Sequence, residues 1–245
     1  MNRIFAVMIF GMSSHISAEE SIVDTDRHRV IPIEISFPLE KSNCSVESQC
    51  PVVFFSAGYG VSHTKYHFLS DLFAELGYLV VAIGHELPGD PPLSVSGNLL
   101  ETRSENWRRG SDTLKVVRNV LRGKNPEYNF DHLLLAGHSN GGDISAWLAN
   151  ESPEFIGGLI TLDHRRVPLP RSGSIAVLSV RASDFEADAG VLPSEAEQTQ
   201  YGSCIVKIPN ARHNDISDLG PKWLKTSIQR IVRGWLTNTS CQLRV

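Results

Sequence analysis

One stretch, LLLAGHSNGG from Leu133 to Gly142, limits what this chain can fold into more than any other. An apolar run meets a glycine, Gly137 and Gly141 enclose Ser139 at G-x-S-x-G spacing, and Gly142 follows. The run reads as a buried strand, and the residues after the serine open a helix. A strand that turns abruptly into a helix while holding one side chain up at the corner places that residue in strained backbone. Small neighbours two positions before and two after it relieve the crowding. The helix that begins behind the serine also presents unpaired N–H groups toward incoming negative charge. The spacing therefore marks Ser139 as a candidate nucleophile and the N–H of Asn140 as a donor to an oxyanion.

A serine hydroxyl is a poor nucleophile without a base, and the base needs a group to orient it. On a strand-turn-helix elbow the order along the chain is serine, acid, histidine. Of the nine histidines only His164 and His213 follow Ser139. His213, in the polar loop NARHNDISD between the last strand and the last helix, is the expected base, and His164 is read as a neighbour of the site. Two acids compete. Asp163 closes the strand GLITLD, and Asp184 follows the next strand in VLSVRASD, with Asp188 a lesser candidate. Both positions fall at the carboxyl edge of a parallel sheet, where catalytic side chains collect, so position alone does not choose between them. A second oxyanion donor is expected from the turn in SAGYG, with the N–H of Tyr59 preferred over that of Gly58 or Gly60.

Around this motif apolar strands alternate with amphipathic stretches, without internal repeats, which predicts an α/β fold on a mostly parallel central sheet flanked by helices. Strands are expected at 29–38, 51–56, 78–86, 158–163, 174–180 and 204–208, and helices near 101–121 and 223–235. The 245 residues, 41% hydrophobic, suit a single domain over 19–245. Little chain separates Asp163 from the next strand, so no large cap domain is expected and the site should be open. Its rims would be the Pro-rich loop 87–97 and the FEADAGVLP segment 185–193. Net charge is −4 and the 23 basic residues are scattered, which argues against a nucleic-acid partner.

The chain starts with Arg3, a short apolar run IFAVMIFGM and SSHISA ending at Ala18, the pattern of an export signal at 1–18 cleaved near Ala18. The stretch SAEESIVDTDRHR, which spans the cleavage point, reads as a loose mature terminus. The run is too short for a membrane span, which needs roughly twenty apolar residues. Export agrees with four cysteines, since an oxidising compartment lets them pair. Cys44 and Cys50 lie close in one loop, and Cys204 and Cys241 form a possible second pair, although sequence alone leaves three connectivities open. No metal motif is present, because His63 and His67 in HTKYH lack the glutamate and third ligand of a zinc site. They are read as loop and helix surface.

The segments PVVFFSAGYGVSHTKYHFLSDLFAELGYLVVAIGHE, GHSNGG, GLITLDHRRVPLP and RHNDISD, in this order, resemble the platelet-activating-factor acetylhydrolase and dienelactone-hydrolase-like branch of the α/β-hydrolase superfamily. The resemblance covers about residues 50 to 236 and departs at Ala57, where such proteins often carry histidine. It implies serine-dependent hydrolysis of small-molecule or lipid carboxylic esters without metal or cofactor. It also implies an acid after GLIT, hence Asp163, whereas the wider superfamily places the acid at the position of Asp184. The chain lacks room for a large lipid-binding insertion. A serine peptidase, an acyltransferase or a hydrolase-like binding protein without catalysis are the alternatives on the same scaffold.

Overall fold

The computed structural model describes residues 17–238, with the side chain of Asn238 outside the description. Eight strands form one sheet: β1 (Ser17–Asp24), β2 (Arg29–Ser36), β3 (Cys50–Ser56), β4 (Leu79–Ile83), β5 (Tyr128–His138), β6 (Ile156–Leu162), β7 (Ala176–Arg181) and β8 (Cys204–Lys207). Their spatial order is β1-β2-β4-β3-β5-β6-β7-β8. β1 and β2, and β2 and β4, pair antiparallel, while every pairing from β4 to β8 is parallel. The parallel strands read as continuous apolar runs because both of their faces are covered.

The helices of the described residues are α1 (His67–Glu75), α2 (Leu99–Thr102), α3 (Ser104–Lys124), α4 (Asn140–Glu151), α5 (Glu195–Tyr201) and α6 (Lys222–Asn238), and α1, α3, α4 and α6 cover the sheet. Alternation along β3 assigns the layers. Val52 and Phe54 face a core that holds Trp107, Leu114 and Val117 of α3 with Ile144 and Leu148 of α4. Val53 and Phe55 face the other core, with Leu69, Leu72 and Phe73 of α1 and Ile228, Ile231 and Trp235 of α6. The sheet is thus a buried wall whose carboxyl edge carries the loops that matter chemically. Among the described residues no separate cap covers that edge.

The N-terminal expectation needs correction. Ser17–Asp24 is not loose but an edge strand paired along its length with β2, from Ser17 opposite Ser36 to Asp24 opposite Arg29. Its sequence hides this because only Ile22 supplies a buried apolar side chain. The other inward residue is Asp24, held by the Nε of Arg27 at 2.5 Å. The rest of the expected leader lies outside the described residues. Other boundaries moved less. β4 ends at Ile83, where Gly84 packs against Pro32, and the helix expected near 101–121 is a short α2 followed by α3. Cys44 and Cys50 are joined, as their spacing suggested. Cys204 is disulfide-bonded as well, and Cys241 lies outside the described residues.

Candidate active site

Ser139 stands between the end of β5 and the first residue of α4, with φ 53° and ψ −123°. That is left-handed territory that a serine occupies only when its surroundings enforce it. The glycines enforce it by letting backbones meet: a Cβ on Gly137 would lie 2.4 Å from the carbonyl oxygen of Gly141, and one on Gly141 would lie 2.2 Å from that of Ser56. The Ser139 N–H is held by Leu162 O at 2.9 Å, which ties the corner to β6.

The structure brings the expected base and one expected acid to this corner. His213 opens a short 3-10 turn, and its Nε2 lies 2.9 Å from Ser139 Oγ while its Nδ1 lies 2.5 Å from Asp163 Oδ2. Asp163 directly follows β6 in a left-handed conformation, φ 50°, and is fully buried. Its other oxygen accepts from the Ala182 N–H at 3.0 Å and lies 3.1 Å from Arg181, and Arg165 adds a contact at 3.3 Å. Burial alone would raise the Asp163 carboxyl. The hydrogen bond to His213, the Arg181 charge and the Ala182 N–H outweigh it and hold the group at about 2.

Asp184 does not meet the imidazole. Its two oxygens accept from the backbone N–H of His213 at 2.9 and 3.1 Å, so it fixes the loop rather than the ring. Asp188 pairs with Arg166. His164 is wholly buried beside Gly142, and burial pushes its imidazole down to about 3, so it stays neutral.

At the opposite side of the corner, the Gly58 N–H is already engaged by Tyr66 Oη at 3.0 Å. No group among the described residues takes the N–H of Tyr59 or of Asn140. The side chain of Asn140 is gripped on both sides, accepting from Trp107 Nε1 at 2.9 Å and donating to Asn106 Oδ1 at 2.8 Å, which sets the direction of its backbone. Sequence reasoning missed this grip. It also missed Asp143, one turn into α4, whose Oδ1 accepts from the N–H groups of Arg165, Arg166 and Val167 at 3.3, 2.8 and 2.9 Å and so shapes the loop after Asp163. The signal was present as an acid in the first turn of a helix, but only the fold supplies its partners.

Both expected rims border the site and both are pinned. Leu93 N donates to Tyr59 Oη at 3.1 Å and Arg103 Nε to Ser94 O at 2.7 Å, which anchors the Pro-rich loop. On the other rim Phe185 presents its ring to His213 at 6.5 Å and carries the Arg165 guanidinium over its face at 4.0 Å.

The fold recurs in solved structures. Esterase 2 from Thermogutta terrifontis superposes with a TM-score of 0.64 over 93% of this chain and 97% of its own, at 12% identity. A ferulic acid esterase from Streptomyces cinnamoneus gives 0.62 over 86% and 78% at 17% identity. A dienelactone hydrolase from Anabaena variabilis gives 0.59 over 90% and 97% at 13% identity. The fold is that of the α/β hydrolases. No family model and no curated protein matches the sequence, so the likeness is one of architecture. Within the α/β-hydrolase fold, the corner after β5 and the loops after β6 and β8 are where Ser139, Asp163 and His213 stand. No helix among the described residues is long and apolar enough to cross a membrane.

Proposed function

We propose that this protein is an exported serine hydrolase that cleaves carboxylic esters through Ser139, His213 and Asp163. The observation that carries the reading is the His213 ring, which reaches Ser139 Oγ with one nitrogen and a buried, ionised Asp163 with the other. Ser139 Oγ attacks the ester carbonyl carbon as its proton passes to His213 Nε2. Asp163 holds the Nδ1–H tautomer and stabilises the imidazolium that forms. The negative charge that develops on the carbonyl oxygen is met by the N–H groups of Asn140 and Tyr59, both free to donate. Collapse of the tetrahedral species expels the alcohol, which takes the proton from His213 and leaves an acyl group on Ser139. Water, deprotonated by the same imidazole, then releases the acid and restores the serine.

An ester substrate is favoured because the superposed proteins named above are esterases and a lactone hydrolase, and because the site is open at the sheet edge. Export is supported by the leader pattern and by the Cys44–Cys50 bond, which persists in an oxidising compartment. The test is a series of p-nitrophenyl esters of graded acyl length with purified mature protein and its Ser139→Ala variant. Turnover of short-chain esters that falls by about four orders of magnitude or more in the variant supports the reading. Equal turnover by both proteins removes it.

A further inference from the structure

A line of hydrogen bonds runs behind the site, and the reaction as written does not use it. Gly58 N–H donates to Tyr66 Oη at 3.0 Å, Tyr66 Oη lies 2.9 Å from His138 Nδ1, and His138 Nε2 lies 3.2 Å from the carbonyl oxygen of His213. Both ends of this line have fixed roles, since an amide N–H only donates and a carbonyl only accepts. The His213 carbonyl takes a hydrogen from His138 Nε2, which leaves Nδ1 of the neutral ring as an acceptor for the Tyr66 O–H, while the Tyr66 oxygen accepts from Gly58. Only one tautomer of a neutral His138 satisfies every group.

The surroundings hold that state. His138 and Tyr66 are buried, and burial together with the nearby His213 pushes the His138 imidazole down to about 3, while burial raises the Tyr66 hydroxyl so that it keeps its proton. Packing leaves little freedom: the Tyr66 ring sits 4.6 Å from Phe55, and the His138 ring 4.9 Å from that of His213. A Cβ on Gly58 would lie 2.8 Å from His138 Nδ1 and 3.3 Å from Tyr66 Oη, so the turn closes directly on the pair.

We propose that Tyr66 and His138 are positioning residues that lock the turn bearing the Tyr59 N–H to the backbone of His213. This role rests on the ester-hydrolase reading above. Gly58 is the residue before the oxyanion donor, and the His213 carbonyl belongs to the base itself. Through the relay the donor on one side of Ser139 and the base on the other keep a single spacing, which is what a transition state formed between them requires. With Asp184 on the N–H of His213 and His138 on its carbonyl, the backbone of the base is held from both sides. A neutral partner is also needed here, because a second cation beside His213 would oppose the imidazolium formed in the reaction.

The test compares Tyr66→Phe, His138→Leu, His138→Gln and the double variant Tyr66→Phe/His138→Leu with wild type. It reads kcat and KM on a p-nitrophenyl ester, thermal melting, and the histidine side-chain nitrogen signals by NMR at pH 7. Tyr66→Phe should lower kcat about tenfold and His138→Leu roughly fiftyfold, each with KM within about twofold, as expected for interactions that act on the transition state. His138→Gln, whose amide can still donate to the His213 carbonyl, should return to within about fivefold of wild type. The double variant should be no slower than His138→Leu, because both changes break one line. Wild-type His138 should show the Nε2–H tautomer, and Tyr66→Phe should keep it, because the His213 carbonyl can still only accept. Multiplying effects in the double variant, no benefit of glutamine over leucine, or an unchanged kcat in a stably folded Tyr66→Phe would each overturn the relay. A wild-type protein inactive on every ester would instead overturn the reading of function, and the tautomer signals would still report whether the hydrogen-bonded line exists.

Discussion

The two aspartates that sequence could not separate differ at the level of single atoms. Asp163 meets the His213 ring and Asp184 meets its backbone N–H, so their replacement should have different consequences. Asp163→Asn leaves the shape of the site but presents the wrong tautomer to Ser139, and kcat should fall by about four orders of magnitude. Asp184→Asn keeps one acceptor for the His213 N–H and should cost about tenfold or less. Steady-state kinetics on the two variants, with melting curves beside them, checks this order. The Asp163 carboxyl also ties stability to acid. Its value in the folded protein, about 2, lies below the ordinary 3.8, so its contribution is complete above pH 4 and is lost as pH falls toward 2. Acid titrations of wild type and Asp163→Asn should therefore converge toward pH 2 and separate above pH 4.

At the scale of elements, the turn from β5 to α4 is where the chain has least room. Gly137→Ala would drive a methyl group into the backbone of Gly141 and should cost about 3 kcal/mol, seen as a melting point lower by about 6–12 °C. Gly123, near the end of α3 with nothing within 4 Å of its Cβ position, gives the opposite case, and Gly123→Ala should stabilise by about 0.5–1 kcal/mol. These elements also show what the sequence made legible. The elbow, the parallel strands and the amphipathic α6 were readable because local pattern and tertiary role coincide there, so apolar periodicity carried the information. β1 was not, because an edge strand that buries one isoleucine and one salt-bridged aspartate has no apolar alternation to read. Glycine spacing and chain order singled out Ser139 and His213 as candidates, and the fold brings them together. The placing of Asp163 against the His213 ring, and the contacts of Tyr66, His138 and Asp143, join residues far apart in sequence, which only the assembled sheet edge defines.

For the molecule as a whole, two features outside the site should set its tolerance of conditions. The Cys44–Cys50 bond closes a six-residue separation ahead of β3, and chain-entropy arguments give such a small loop about 2 kcal/mol. A Cys44→Ser/Cys50→Ser variant should melt about 4–8 °C lower without change in kcat. His67 bridges Glu34 at 3.1 Å and Asp218 at 3.2 Å, and Asp218 also accepts from the first N–H groups of α1, so this contact ties the loop after His213 to α1 and β2. Burial lowers the His67 imidazole, but the hydrogen bond and charge of Glu34 and the charges of Asp218 and Asp71 outweigh it and raise the group above 6.5. Its stabilisation is therefore present in full below pH 6.5 and lost as pH rises through the higher folded value. The melting difference between wild type and His67→Gln should shrink from pH 6 to pH 9.

The proposed mechanism makes Ser139 an activated nucleophile. The most direct measurement treats the protein with diethyl p-nitrophenyl phosphate, follows release of p-nitrophenol, and locates the adduct by peptide mass mapping. One phosphoryl group per chain is expected, carried by Ser139, with no adduct in Ser139→Ala and a greatly slowed reaction in His213→Ala. A folded wild-type protein that stays unlabelled, or that is labelled at another residue with Ser139 unmodified, would contradict it.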